Sequence, residues 1–468
     1  MQNTLIYELL AALDHTEIRE MERFLNSPYH NQREDLYLLF SYLSTCIHEL
    51  HVIPGAEQCC RKIWPGVAPD LAKLRLLQTY LLRLAEQFLM LQDIRRQPDN
   101  YQHHLLTAYR KKGLQRHFQK ALRKQQKQLE EAPFRHAEHY LAAYYLEQER
   151  YHWTSATGRT QALNIQELED QLHHSLLAMK LKQACFSMAH QNVYNAAYRL
   201  EMMEAVLHSA SQPEQQKVPA IAVYYHCFQT LSFPEDERYF ANFKQHLFLH
   251  VDRFPREEMR DLYLLAINYC IRQLNANQAA FLGEALDLYQ KGLKSDLLME
   301  KGQLSRFTYN NIVGIAIRAG EWQWAEHFVH QYQPHLEAEY RDVTFQLCAA
   351  RLAFARQAYE QALMHLQKAD YRDLINNMVG KILQLKIYYE LQEFDLLHTH
   401  LNTTYTFVRR NKKISYHLRN YHNILQLTGK LLKVNPYDKA EKEALRTQIL
   451  QKDPLTEKDW LLEKLEEA

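Results

Sequence analysis

Along this chain, apolar residues recur at steps of three and four, the spacing that collects them on one face of an α-helix. The clearest run follows Pro69-Asp70, where Leu71, Leu74, Leu77, Leu81, Leu84, Phe88 and Leu91 make one stripe. Leu76, Leu82 and Leu89 lie off that stripe, which predicts a helix buried on more than one side. Near the start, Asp14 and Glu17 form a capping pattern ahead of Ile18, Met21, Phe24 and Leu25 on one face. Pro28 cannot continue that helix, because it has no N–H and biases Ser27 away from the helical region. Asn31 is expected to cap a second helix that carries Leu36, Leu39, Phe40 and Leu43 inward. Asn26-Ser27-Pro28-Tyr29 therefore reads as a helix–helix corner, the alternative being a phosphoacceptor at Ser27.

The same grammar continues to the C-terminus. Further corners are expected at Gln97-Pro98-Asp99, Ala132-Pro133, Ser211-Gln212-Pro213, Phe233-Pro234, Phe254-Pro255 and Asn435-Pro436, with a candidate boundary in the loop Thr154 to Thr160. About 20 helices with short links fit antiparallel helical hairpins. Composition agrees. The 468 residues contain 11 Gly, where average usage of about 7% gives about 33. Pro is also low, at 13, so the turns that sheets require are scarce. The fold expected is all-α.

Charge and cysteine narrow the classes. Lys plus Arg is 56 against 55 for Asp plus Glu, and this balance argues against a dedicated nucleic-acid or membrane-surface protein. The longest uncharged stretch, Val218 to Pro234, is too short and too polar to span a bilayer. Seven Cys, with no C-x-x-C among them, read as buried free thiols in a reducing cytosol. Together with an N-terminus that carries no basic residue before Arg19, this gives a cytoplasmic expectation.

A repeat emerges in the C-terminal half. Gly320-Glu321-Trp322 is followed by Ala325, Val329 and Tyr332; Gln357-Ala358-Tyr359 by Ala362, Leu366 and Ala369; Gln392-Glu393-Phe394 by Leu397, Leu401 and Thr404. An amphipathic helix precedes each turn: Tyr309 to Arg318, Phe345 to Phe354, and Ile382 to Tyr389. A weaker copy runs through Leu282, Ala285, Tyr289 and Gly292. The small residue is expected at the close crossing of two helices, and the aromatic as a plug between hairpins. The segments Asn311 to Ala325 and Ala358 to Leu363 resemble the tetratricopeptide repeat, over about residues 278 to 410. The likeness departs from that family in spacing, in the Gln at 357 and 392 where a turn glycine belongs, and in the lack of a regular closing proline. Phe24 to Tyr29, Trp322 to Glu326 and Tyr388 to Glu390 also resemble an uncharacterised family of long all-helical bacterial proteins, which implies one continuous architecture and no activity. The resemblance implies a right-handed α-α superhelix of antiparallel hairpins, tetratricopeptide-like in the C-terminal half. The expected division is an N-terminal helical region at 1–132, a helical-hairpin region at 133–277, repeats at 278–435 and capping helices at 436–468.

Motifs for chemistry are sparse. The closest glycines, Gly314 and Gly320, rule out G-x-G-x-x-G, G-x-S-x-G and the P-loop pattern. His48-Glu49-Leu50-His51 and His136-Ala137-Glu138-His139 miss the H-E-x-x-H order. His246 and His250 do have ligand spacing, but with 25 His such a pair is expected by chance. No cofactor, no bound metal and no catalysis are expected, a metal-dependent enzyme being the weakest alternative reading.

The expected function is a non-catalytic scaffold that binds a partner protein or peptide in a concave groove. In tetratricopeptide proteins the first helix of each hairpin lines the groove, and the resemblance implies Asn310, Asn311, Arg318, Arg351, Lys386 and Tyr389 as partner-binding residues. The row is net basic, which suits an acidic segment or a C-terminal carboxylate. The alternative is a nucleic-acid-binding protein using the basic stretch 110–128, with Lys111, Lys112, Arg116, Lys120, Arg123 and Lys124 on phosphates above a stripe of Leu114, Phe118, Leu122 and Leu129. A second basic stretch, residues 401 to 437, interleaves Tyr405, Tyr416 and Tyr421. Finally, Thr456 and Asp459 predict a capped helix whose Leu461 and Leu465 pack near Leu427 to Val434, rather than a free partner-binding tail.

Overall fold

The computed structural model describes residues 2–96, 98–157, 162–194, 196–276, 278–369, 374–410 and 415–467, with side chains at all of these except 98–102, 192–194, 375 and 415–418. It is all-helical: helix makes up 77% of it, in 23 α-helices. The one strand pair among the described residues is a two-residue hairpin, Met299–Glu300 against Gln303–Leu304, turned by Lys301 and Gly302 at positive φ.

The chain divides into two compact units, Met1–Lys182 with Glu204–Ile221, and Gln183–Met203 with Ala222–Ala468. The first holds α1 (Leu5–Ala12), α2 (His15–Leu25), α3 (Glu34–Ser44), α4 (Ala56–Ile63), α5 (Leu71–Arg96), α6 (Pro98–Lys111), α7 (Gln115–Glu131), α8 (Ala137–Thr157), most of α9 (Ile165–Tyr194) and nearly all of α10 (Met203–Ala210). The second holds most of α11 (Pro219–Ser232), then α12 (Glu237–Leu249), α13 (Arg256–Asn275), α14 (Phe281–Lys294), α15 (Arg306–Arg318), α16 (Trp322–Tyr332), α17 (Arg341–Ala355), α18 (Tyr359–Lys368), α19 (Leu374–Glu390), α20 (Phe394–Arg410), α21 (Ser415–Leu431), α22 (Lys439–Gln451) and α23 (Lys458–Glu467).

In the first unit, Asp14 caps α2 as its pattern predicts: Oδ1 accepts from the N–H groups of Thr16 and Glu17, and Glu17 accepts from the Asp14 N–H. Asn31 does not cap α3. Its amide donates to the carbonyls of Leu25 and Arg33 and its Oδ1 accepts from Arg33 N–H, so it ties the end of α2 to the start of α3. The Ser27-Pro28-Tyr29 corner is real, with Tyr29 90% exposed. On α5, Leu74, Leu77, Leu81, Ala85 and Phe88 are buried; of the residues off that stripe, Leu82 packs against the same core while Leu76 and Leu89 are exposed, so α5 is packed mainly on one face. These side chains join α1, α2, α3 and α4 in one core. Thr154 to Thr157, expected as loop, finish α8; the rest of that candidate boundary and Gln97 lie outside the described residues.

In the second unit, consecutive helices pack as pairs, among them α13 with α14, α15 with α16, α17 with α18 and α19 with α20. Small or apolar residues close these pairs. Ala325, Ala362 and Leu397 are fully buried, as the repeat predicts. Of the turn aromatics, Tyr359 is half-buried against Phe354 and the core of its hairpin, as the repeat predicts, while Trp322 and Phe394 stay 43% and 46% exposed.

Candidate functional site

The turns set the register of the repeat. Gly320, Gln357 and Gln392 all adopt left-handed backbone, with φ of 74°, 62° and 60°. Each turn is closed in one way. Gly320 N–H donates to the Ile317 carbonyl and Glu321 N–H to Ala316; Gln357 to Phe354 and Ala358 to Ala353; Gln392 to Tyr389 and Glu393 to Tyr388. This is the Schellman closure, in which a left-handed residue lets two amides turn back on the last helical carbonyls. Gln occupies two positions that glycine usually takes, so the residues fulfil the motif in backbone though not in type.

Counting back six residues from each turn aligns Gly314, Arg351 and Lys386, and counting back three aligns Ile317, Phe354 and Tyr389. Asn310, Asn311, Arg318, Arg351 and Lys386, five of the six residues expected to bind a partner, line one cavity of about 960 Å³ within the second unit. Phe354, Asn420, Tyr421, Trp460 and Lys464 are also in its wall. Tyr389 stands one step back, its ring edge-on to Trp460 with centroids 5.4 Å apart.

The wall residues differ in what they already hold. Asn310 is committed internally: its amide donates to the Arg306 carbonyl at 2.8 Å and its Oδ1 lies 3.1 Å from Cys348 Sγ. Lys386 is also committed. Its ammonium donates to Glu457 at 2.8 Å and lies over the rings of Phe354 (4.9 Å) and Trp460 (5.4 Å). Arg318 is exposed and Arg351 half-buried, and neither has a carboxylate partner among the described residues. Arg351 lies across Gly314: a Cβ there would stand 2.9 Å from Nη2. The missing side chain of Gly314 is what gives the guanidinium its place.

Helix α23 closes the far end of this cavity. Its Trp460, Leu461 and Leu465 share a core with Leu427, Leu431 and Val434, where the apolar pattern predicts them, and the contact extends onto Ile382 and Leu385 of α19. Glu457, not Thr456, is the N-terminal cap, since its carbonyl accepts the first helical bond from Leu461. Thr456 is held from α21 instead, its N–H donating to Asn420 Oδ1 and its Oγ1 accepting from Asn420 Nδ2. Trp460 Nε1–H donates to Glu390 at 2.9 Å. Lys464, with only 8% of its side chain exposed, sits between Glu390 (3.1 Å), Glu463 (3.2 Å) and Glu467 (2.8 Å). Burial by itself lowers the pKa of that ammonium; the three carboxylates outweigh it and hold it above the ordinary value. The cavity thus has a charge-satisfied end at α23 and an open cationic end at Arg318 and Arg351. Glu390, Asn420, Glu457, Trp460 and Lys464 carried no functional signal in the sequence.

The basic stretch lies in the other unit. Lys111, Lys112, Arg116, Lys120, Arg123 and Lys124 are all exposed and none has an acidic partner among the described residues. Beneath them Phe118 stacks on Trp153 at 4.5 Å, and Phe118 and Leu129 are buried, while Leu114 is 38% exposed. Neighbouring Arg110 is bound to buried Glu149 at 2.7 Å. In the second basic stretch, Tyr421 is turned into the core and Tyr405 packs edge-on to His422, so neither ring offers a free face. Lys412 and Lys413 lie outside the described residues, as does the Tyr416 side chain.

His246 stacks with His250 and with His226, at 6.0 and 4.4 Å between centroids, and these three do not bring three ring nitrogens within 4.8 Å of one another. Burial lowers the pKa of all three, that of His226 to about 4. No described helix is long and apolar enough to cross a membrane. Compared with known proteins, the chain matches no family model, no curated protein and no solved structure.

Proposed function

We propose that the second unit is a non-catalytic binding module that receives an acidic segment of a partner protein in the cavity between α15, α17, α19 and α23. The observation that supports this most directly is the pair Arg318 and Arg351, two guanidinium groups in the wall of a cavity of about 960 Å³ that pair with no carboxylate among the described residues, while the acidic wall residues Glu390 and Glu457 are already held by Lys464 and Lys386. A half-buried guanidinium draws an anion, and its fork geometry favours a carboxylate bound through two parallel N–H groups. The repeated left-handed turns support a tetratricopeptide-like stacking of these hairpins into a right-handed superhelix, with the first helix of each hairpin toward the ligand. The reading is tested by isothermal titration of the full chain with Glu-rich peptides. Binding is expected, and Arg351→Glu is expected to weaken it at least about tenfold, the scale of a lost charge-assisted pair. Unchanged affinity in that variant removes the groove assignment. Lys386→Glu is a poorer test, because Lys386 also holds Glu457.

A second reading rests on the first unit. Six exposed cations from Lys111 to Lys124, without acidic partners among the described residues, make a positive surface that could follow a phosphate backbone. It predicts binding of mixed DNA or RNA that falls steeply with salt. A gel shift that shows no complex at low salt removes it.

A further inference from the structure

One end of the cavity already contains a ligand, and it belongs to the chain itself. Glu457 and Trp460, three residues apart on one short helix, meet Lys386 and Tyr389, three residues apart on α19. The carboxylate takes the ammonium at 2.8 Å, and the indole lies against the tyrosine ring and under the same ammonium. The repeat carries this pair of positions one hairpin back, where they are Arg351 and Phe354 on α17. There the chemistry is the same, a cation and an aromatic ring one turn apart, with no carboxylate on the cation among the described residues. The two pairs adjoin, since Lys386 reaches across to the Phe354 ring at 4.9 Å. One hairpin further back the series ends: the cation position is Gly314, whose missing side chain leaves room for Arg351 Nη2 beside α15.

From this juxtaposition we infer that the ligand of the open end is a helical segment bearing an acidic residue and, three positions later, an aromatic one. The acid seats on Arg351 and the ring on Phe354, beside α23 and in its manner. The inference rests on the groove reading and adds the ligand's form to it. An amphipathic helix laid in a groove is a common mode of recognition, with its anchors read at i and i+3. Here the cation sets the register and the aromatic supplies apolar contact.

The test uses a fluorescent synthetic peptide of residues 454–467 and the full chain, read by anisotropy. Saturable binding is expected, weakened at least about tenfold by Arg351→Glu in the chain and by Trp460→Ala in the peptide, the scale of losing an anchor residue. Arg351→Lys should keep most of the affinity, and a Glu457→Lys peptide should regain binding to the Arg351→Glu chain. Gly314→Leu fills the space that Arg351 crosses and should weaken binding without removing the charge. Binding that depends on Lys386 and ignores Arg351 means exchange with the chain's own tail and overturns the inference. Equal binding of the Trp460→Ala peptide reduces recognition to charge and also overturns it, leaving the groove reading in place. Failure of this peptide while a Glu-rich peptide binds through Arg351 has the same meaning; failure of both removes both readings.

Discussion

Gln357 and Gln392 hold backbone conformations that an L-residue with a Cβ enters at a cost of about 1–2 kcal/mol. Gly320 does the same work at the equivalent turn without that cost. Gln357→Gly and Gln392→Gly are therefore expected to stabilise the chain by about 0.5–1 kcal/mol each, the relief of strain less the entropy that glycine adds to the unfolded state. Gln357→Val should lower stability, as a β-branched residue fits left-handed backbone worst. Chemical denaturation measures all three, and a destabilised glycine variant would mean that the Gln side chains do something besides turn the corner. The histidine stack sets a second expectation. Burial, and then the neighbouring His246, hold His226 at about 4, below its ordinary 6.5. As pH falls, the unfolded chain takes up this proton before the folded one does, so stability is intact above about pH 6.5 and is lost progressively between 6.5 and 4. His139, held at about 4 first by burial and then by Arg135 and His136, acts in the same direction. Melting temperatures should fall across this window, and fall less in His226→Phe; equal slopes for variant and parent would refute the assignment.

At the scale of the element, α23 is where packing and the site meet. It is ten residues long, too short to persist in water alone, so its order comes from docking. Trp460 is 7% exposed, and Trp460→Ala should cost about 3–5 kcal/mol, the range for removing a buried large aromatic. Deleting residues 454–468 should lower the melting temperature further and cause aggregation, by uncovering the core around Leu427 and Leu431. A truncated chain that melts unchanged and stays monodisperse would show that α23 is dispensable. The apolar half of this arrangement was legible in the sequence, because Leu461 and Leu465 keep the helical step. The polar half was not. Glu457 and Lys386 are 71 residues apart, and Trp460 and Glu390 are 70, so no local period links them. The same division holds elsewhere. Spacing placed Ala325 and Ala362 at helix crossings correctly, yet it could not say that Tyr359 packs inward while Trp322 and Phe394 stay nearly half exposed, since period is silent about which side of a first turn is covered. For α5, hydrophobic residues off the main stripe were read as a second buried face, but Leu76 and Leu89 are exposed apolar residues of the ordinary kind. Arg351 and Lys386 share a register with the turns, which the sequence displays; Asn310, Asn311 and Arg318 are reached only through the tetratricopeptide resemblance.

At the scale of the whole molecule, each unit encloses its own core. Leu39, Leu43 and Leu81 belong to one in the first unit, and Leu385, Ile424 and Leu461 to one in the second. Mutations at the cavity are thus expected to act on the second unit's stability, and mutations of α5 or α7 on the first's, with near-additive effects when combined.

The seven cysteines turn this division into something that can be timed. All are buried and free: Cys46, Cys59 and Cys60 in the first unit, Cys185, Cys227, Cys270 and Cys348 in the second. Burial pushes Cys59 up to about 11 and Cys270 and Cys348 up to about 12, so in the closed molecule few of these thiols are ionised at neutral pH. A thiol reagent must then wait for each to be uncovered, and alkylation followed by peptide mass spectrometry gives every cysteine its own clock for local opening. Cys59 and Cys60 should keep one time and Cys270 and Cys348 another. An occupant held by Arg351 should slow Cys348, one helical turn away on α17, while leaving Cys59 unaltered.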